Sequence, residues 1–441
     1  MAGYSPSLRG VSRRTLLKLG AAGMLLPLSR AARAADAVRS KARIVIAGAG
    51  AAGLSAAARL SRRLEGATIT LIDGRKAHYY QPGFTLIAAG LVPSGYAVTA
   101  TRDYVPRGVE LIEEAVAEFD PEGRKVVTAS GRAVPYDYLI VATGLTLDYA
   151  AIAGMDTAAI GKSGLGSVYA GPEAAAATWA AMSRFAETGG KGLFFRPATE
   201  MKCAGAPLKY AFLTDDMLRK RGARGKAELT YAAQNKTLFS VPIVSEKARM
   251  LFKDRGVRVV HDHVLTAIDI GRRIATFSTP TGAVELPYDF TNVIPPMRAP
   301  LAVRQSALPW RSGGWAADGW VEVDKATLRH ARFSEVFAVG DIAGVPKGKT
   351  AASVKWQVPV AVEHLLADIS GTTSAAAYDG YTSCPLITRY GRALLVEFNY
   401  ANDLTPSFPG IIAPLEELWI TWVMKTIALK PTYLAMLHGR A

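Results

Sequence analysis

Cys203 and Cys384 are the only cysteines in a chain of 441 residues, and the setting of the first points to redox work at sulfur. It follows a strand-like run, Gly192-Leu193-Phe194-Phe195, within the sequence FFRPATEMKCAGAPLK. Two prolines and no Gly-x-Gly-x-x-Gly pattern leave no short turn that could bring backbone N–H groups onto a pyrophosphate there. A nicotinamide donor is therefore not expected at this position, whereas a thiol that exchanges electrons is. The other reading of two cysteines in an oxidising compartment is one structural disulfide, worth about 2–4 kcal/mol.

The elements that must position these sulfurs begin with a dinucleotide pattern. Arg43-Ile44-Val45-Ile46-Ala47 reads as a buried strand running into Gly48-Ala49-Gly50-Ala51-Ala52-Gly53 and then a small-residue helix from Leu54 to Leu60. Gly48 makes the tight turn, Gly50 admits a pyrophosphate, and Gly53 lets the helix pack on the strand. A second strand, 67–72, ends at Asp73, twenty residues past Gly53, where a carboxylate can bond ribose hydroxyls. Tyr136 to Gly144 is a strand delivering the Thr143-Gly144 turn, and Val336 to Asp341 is a strand ending in Gly340-Asp341. Between them, alternating helical and strand patterns predict a second α/β unit with strands at Gly192–Phe195, Glu228–Tyr231 and Val257–His261. His261 and His263 could share a strand face, but no third ligand stands at a sensible spacing, so hydrogen-bonded or solvated histidines are expected and no metal.

The composition is that of a globular chain, half apolar and one-fifth charged, large enough for two or three domains. Residues 1–34 stand apart: Ser12-Arg13-Arg14-Thr15-Leu16-Leu17-Lys18, an apolar run from Leu19 to Leu28, then Ala32-Arg33-Ala34. This order predicts a twin-arginine export signal, hence a periplasmic protein, and the apolar run is too short to span a bilayer. Removing the six basic residues of that leader lowers the net charge from +15 to +9. That surplus suits an anionic membrane surface or small anions. The basic residues are dispersed and no nucleic-acid motif accompanies them, so nucleic acid is not expected as a partner.

The strand-borne Gly-Asp and Thr-Gly turns resemble those of the flavoprotein disulfide reductase superfamily. Within it the chain resembles the two-cysteine subtype of the sulfide:quinone oxidoreductases over nearly all of its mature length. The segments that carry the resemblance are His78 to Leu86 (HYYQPGFTL), Lys202 to Pro207 (KCAGAP), Lys349-Thr350-Ala351, and Tyr378 to Leu386 (YDGYTSCPL). The resemblance implies an α/β fold with two Rossmann-like, dinucleotide-binding flavoprotein domains and a C-terminal amphipathic helical segment for membrane and quinone. The expected boundaries are 35–150 with 285–378 for the FAD-binding domain, 151–284 for the second domain carrying Cys203, and 379–441 for the C-terminal segment. It further implies FAD held by Gly48, Gly50, Ala51, Ala52, Gly53, Asp73, Gly74, Gln81, Thr143, Gly144, Gly340, Asp341, Lys349 and Thr350, with Asp341 on the ribityl chain. Cys384 would carry sulfur as a persulfide, and Cys203 would be the thiolate facing the flavin. Neither the segment just after Gly90 nor that from Gly161 to Gly171 contains a cysteine, so the flavin is expected to be non-covalent.

Electrons would leave through the C-terminus. Placed on one helix, Leu415, Leu418, Trp419 and Trp422 share a face, followed by Lys425 and Lys430. This pattern predicts an interfacial helix, with a second amphipathic piece after Pro431. By resemblance Lys425 and Trp422 lie near flavin and quinone, and the enzyme sits peripherally on the outer face of the cytoplasmic membrane. Glu173 and the lysines are candidates for acid–base work. The competing readings are the flavoprotein subunit of a flavocytochrome c sulfide dehydrogenase, a type II NADH:quinone dehydrogenase opposed by the missing second glycine motif, and a non-catalytic FAD-binding scaffold.

Overall fold

The computed structural model describes residues 37–441, so the leader expected at 1–34 lies outside the described residues. In chain order the principal elements are β1 (Arg43–Ala47), α1 (Ala51–Arg63), β2 (Thr68–Ile72), β3 (Val109–Ile112), β4 (Tyr138–Val141), β5 (Leu165–Gly166) and α2 (Pro172–Thr188). They continue with β6 (Gly190–Phe195), α3 (Ala206–Lys220), β7 (Ala227–Ala232), α4 (Pro242–Asp254), β8 (Val257–Val260), β9 (Phe290–Asn292), β10 (Val336–Ala338) and α5 (Ala351–Ile369). The C-terminal part holds the hairpin β11 (Thr382–Arg389) and β12 (Arg392–Phe398), then α6 (Trp419–Val423), a π-helical turn (Met424–Ala428) and α7 (Leu429–Leu437).

Two five-stranded parallel sheets organise the protein, in the orders β10-β4-β1-β2-β3 and β5-β9-β6-β7-β8. The continuous apolar runs of the central strands are what burial on both faces of a parallel sheet demands. Because β1, β4 and β10 run the same way, their carboxyl ends bring Gly48, Thr143 and Asp341 to one edge, where open α/β sheets place ligands. α1 is buried at Ala52 to Ala58 without a gap, since it packs on α5 and α7, and its small side chains allow that approach. β6 delivers the chain toward Cys203, and the β11–β12 hairpin, packed on α3, brings in Cys384 from the far end of the sequence.

Four expectations shift. β9 belongs to the second sheet, so that sheet extends past the expected boundary at 284. β8 stops at Val260, which leaves His261 and His263 beyond the strand; His261 Nδ1 lies 3.0 Å from Asn235 O and His263 Nδ1 lies 2.6 Å from His261 O. The C-terminal helix starts at Trp419 rather than Leu415, because Leu418 is extended and bridges to Ala393. Pro431 lies inside α7 rather than between two pieces. Its ring and missing N–H disfavour a regular helical turn just before it, and the wider π turn at 424–428 occupies that place.

Candidate functional site

The carboxyl edge of the first sheet faces a cavity of about 220 Å³ whose wall includes Gly50, Ala51, Ala52, Gln81, Thr143, Gly144, Gly340, Asp341, Lys349, Thr350, Cys203, Cys384 and Lys425. Residues far apart in sequence thus meet on one surface. Gly48 and Gly53 build the turn from behind: Gly48 has φ +109°, and a Cβ on Gly53 would stand 1.8 Å from Gly48 O. Gly50 is open, its nearest neighbour for a Cβ being Arg75 Nη2 at 3.9 Å. The α1 N-terminus carries no acidic residue in its first turn and no side-chain cap, and Thr143 Oγ1 is buried without a partner among the described residues. Free N–H groups at a helix start fit the pyrophosphate of FAD, and an unpaired hydroxyl fits its polar ribityl chain.

Several expected contacts are placed differently. Asp73 and Gly74 lie outside the cavity wall. Asp73 accepts from Ala49 N at 2.7 Å, Arg75 N at 2.9 Å and Arg75 Nη2 at 2.9 Å, so it braces the glycine turn and holds Arg75. Burial would raise its pKa, but the bonds from Arg75 outweigh it and hold the carboxylate below its usual range. Trp422 is also outside the wall, packed 6.2 Å from the Tyr390 ring, because α6 turns it into a cluster with Leu86, Leu213 and Ile387. Glu173 is exposed in the first turn of α2. The Lys349 ammonium is engaged by Asp341 O at 2.6 Å and Ala343 O at 3.3 Å and lies 3.6 Å from the Trp320 ring centre.

The sulfurs occupy the inner end of the cavity. Cys203 precedes α3 by one turn, is partly exposed to the cavity and has φ +49°; Cys384 is 4% exposed. The two thiols are free and adjacent in the cavity wall. Gly205 allows this approach, since a Cβ there would stand 2.5 Å from Cys384 Sγ. Lys209 Nζ, one turn into α3, donates to Cys203 Sγ at 3.4 Å. The hydrogen bond from Cys384 lowers the Cys203 pKa well below its usual value against the opposing effect of burial, with help from the charges of Lys209 and Lys425. Cys384 keeps its proton and is pushed well up by that same bond and by burial. A neighbouring ammonium and a helix start both favour the thiolate form of such a cysteine.

Lysines crowd this end. Burial tends to discharge Lys209, but the two cysteines overcome it and raise its pKa. Burial brings Lys425 down to about 7, reinforced by Lys209 and opposed by the cysteines, and its Nζ donates to Pro82 O at 2.9 Å. Lys202, lowered by burial to about 8, donates to Gln81 Oε1 at 2.6 Å and ties the second unit to the first. Lys209, Lys202, Tyr169 and Tyr433 are wall residues to which the sequence reading assigned no site role. Lys209 had a signal: it is a lone cation in the apolar run Leu208 to Leu213, six residues after Cys203. Tyr433 closes the outer wall from α7, with its hydroxyl 2.8 Å from His78 Nε2.

The sequence family described as pyridine nucleotide-disulphide oxidoreductase matches residues 42–177. The mitochondrial sulfide:quinone oxidoreductase of Dictyostelium discoideum is 35% identical over 373 residues, spanning 84% of this chain and 81% of that protein. The mitochondrial sulfide:quinone oxidoreductase of Mus musculus is 34% identical over 83% of this chain and 80% of that protein. The solved sulfide:quinone oxidoreductase of Aquifex aeolicus superposes with a TM-score of 0.73 at 19% identity, covering 90% of this chain and 92% of that one, which shows the shared fold.

Proposed function

The chain belongs to the sulfide:quinone oxidoreductases, and on that premise we propose that Cys384 carries the oxidised sulfur while Cys203 is the leaving thiolate of the pair. The protein is an FAD-dependent enzyme that oxidises sulfide and reduces quinone. The observation that carries the assignment of roles is the asymmetry at the cavity end: Lys209 donates to Cys203, and Cys384 stays protonated.

From the oxidised pair, hydrosulfide forms a bond to Cys384 Sγ, the Cys203–Cys384 bond breaks, and its electron pair leaves on Cys203. The proton of the hydrosulfide stays on the new persulfide. Lys209 and the start of α3 stabilise the departing thiolate, which lowers the barrier to that step. A nucleophilic acceptor then takes the outer sulfur and leaves Cys384 as a thiol. FAD supplies the two-electron relay between sulfur and quinone when bound. The N–H groups of Gly50 to Ala52 suit its pyrophosphate, Thr143 and Asp341 its ribityl chain, and Lys425 the quinone end of the cavity.

Peripheral membrane association is supported by the side chains exposed before, on and just after α6: Ile411 is 80%, Trp419 58% and Ile427 66% exposed. Among the described residues no helix is long and apolar enough to cross a membrane. Export by the twin-arginine route to the periplasm rests on residues 1–34. Anaerobic sulfide titration tests the cysteine roles. Both Cys203→Ser and Cys384→Ser should retain FAD and lose sulfide-dependent bleaching; normal bleaching in either variant would refute the pair.

A further inference from the structure

We infer that Tyr169 is a positioning residue for the Cys203 thiolate, a role that rests on the assignment of Cys203 as the charged sulfur of the pair. The Tyr169 hydroxyl lies 2.8 Å from Lys202 O and 3.1 Å from Cys203 O, so a single O–H proton is shared between two successive carbonyls of the loop that carries the sulfur. The side chain is 8% exposed, and its ring lies 5.5 Å from the Lys202 ammonium. Burial pushes its pKa well up, so it serves as a fixed donor across the working pH range.

Tyr169 can hold the loop because its own segment is fixed from the other side. Ser167 N donates to Thr178 Oγ1 at 2.8 Å, Ser167 Oγ donates to Val293 O at 2.7 Å, and Val168 N donates to Asn292 Oδ1 at 3.1 Å. These bonds fasten the segment to α2 and to the end of β9. The Cys203 loop, by contrast, is not self-supporting. A φ of +49° puts a Cβ-bearing residue in the left-handed region, which such residues adopt reluctantly. Three bonds hold it there: Cys203 N donates to Lys349 O at 2.9 Å, Ala206 N donates to Cys203 O at 2.8 Å, and Tyr169 closes the set. Of the three, Tyr169 supplies the side-chain bond, so it can be removed without cutting the backbone pattern.

In this conformation Cys203 Sγ stands 3.4 Å from Lys209 Nζ and beside Cys384. Loss of the Tyr169 hydroxyl leaves Lys202 O without its buried donor and Cys203 O with Ala206 N alone, and frees the loop to relax toward commoner backbone angles. The sulfur then drifts from the ammonium that stabilises its charge. The expected consequence is a less acidic Cys203 at an otherwise intact FAD site.

The test is Tyr169→Phe in the FAD-loaded full-length protein, followed by the pH dependence of Cys203 alkylation read by mass spectrometry. The midpoint should rise by about one pH unit, which is roughly tenfold slower alkylation at any pH well below both midpoints. Sulfide-dependent flavin bleaching should slow in parallel and recover at higher pH. Tyr149→Phe is the control, because Tyr149 OH lies 2.6 Å from Ser167 Oγ, in the same segment as Tyr169, but makes no hydrogen bond to the Cys203 loop among the described residues. An unmoved midpoint in Tyr169→Phe, an equal rise in Tyr149→Phe, or a fall in melting temperature alone would overturn the positioning role. Normal sulfide bleaching in Cys203→Ser would instead overturn the assignment on which it rests.

Discussion

Lys209 Nζ donates to Cys203 Sγ across 3.4 Å from within an apolar helix face, and among the described residues no acid pairs with it. A buried ammonium persists there because the thiolate is its counter-ion. We expect Lys209→Met to raise the alkylation midpoint of Cys203 by at least about one unit and to slow sulfide-dependent flavin bleaching roughly tenfold. FAD content should not change. An unaltered midpoint in a folded Lys209→Met protein would remove Lys209 from the mechanism.

Lys425 is brought to about 7 by burial and by Lys209, and both cysteines pull it back up. It is charged below that pH and neutral above it. If its ammonium assists quinone reduction, turnover with a water-soluble quinone falls as pH rises through about 7. In Lys425→Met that ionisation should vanish, with turnover at pH 6 lowered by roughly tenfold or more. A variant that keeps the same pH profile would show that the step belongs to another group.

His78, 4% exposed, is lowered by burial to about 4 and bonds Tyr433 of α7. Its neutral form is favoured in the folded protein, so the associated stability is fully present above about pH 6.5. It is lost as pH falls toward 4, because there the unfolded chain binds a proton that the folded one refuses. The full loss amounts to roughly 3 kcal/mol. Chemical denaturation between pH 7 and 4 should therefore show a shallower slope for His78→Gln than for the parent protein.

Trp419 and Ile427 are exposed, whereas Trp422 is packed against Tyr390. Replacing both Trp419 and Ile427 with Ser should weaken binding to anionic vesicles by roughly tenfold or more, from the lost apolar burial. Activity with a water-soluble quinone should remain. Trp422→Ala should instead lower the melting temperature and leave vesicle binding nearly intact. Equal release by Trp422→Ala would place the contact surface elsewhere.

The glycine turn, Thr143-Gly144 and Gly340-Asp341 were legible because each follows an apolar strand, and parallel strands must share a carboxyl edge. The two sulfurs were legible by rarity, by the missing glycine turn before Cys203 and by the two short segments that carry the family resemblance. The rest depended on what a linear pattern does not carry. Helical periodicity from Leu415 placed both tryptophans on one face, but 3.6-residue spacing holds only inside a helix, and Leu418 is extended. Asp73 stands at the expected position for a ribose contact, yet its oxygens are taken by Ala49 and Arg75, a competition that only the fold reveals. Lys209 was hidden because a lysine among leucines and aromatics reads as a solvated edge until its sulfur partner is in place.

The π turn at 424–428 acts as a register shift between two faces. One residue in an α-helix corresponds to about 100° of rotation, so the extra residue in the widened turn re-indexes everything before it against everything after it. Ile427 can face outward while Lys425 and Tyr433 look into the cavity. Deleting a single residue from this turn would restore a regular helix and swing Lys425 away from the sulfurs, although no wall residue had been substituted.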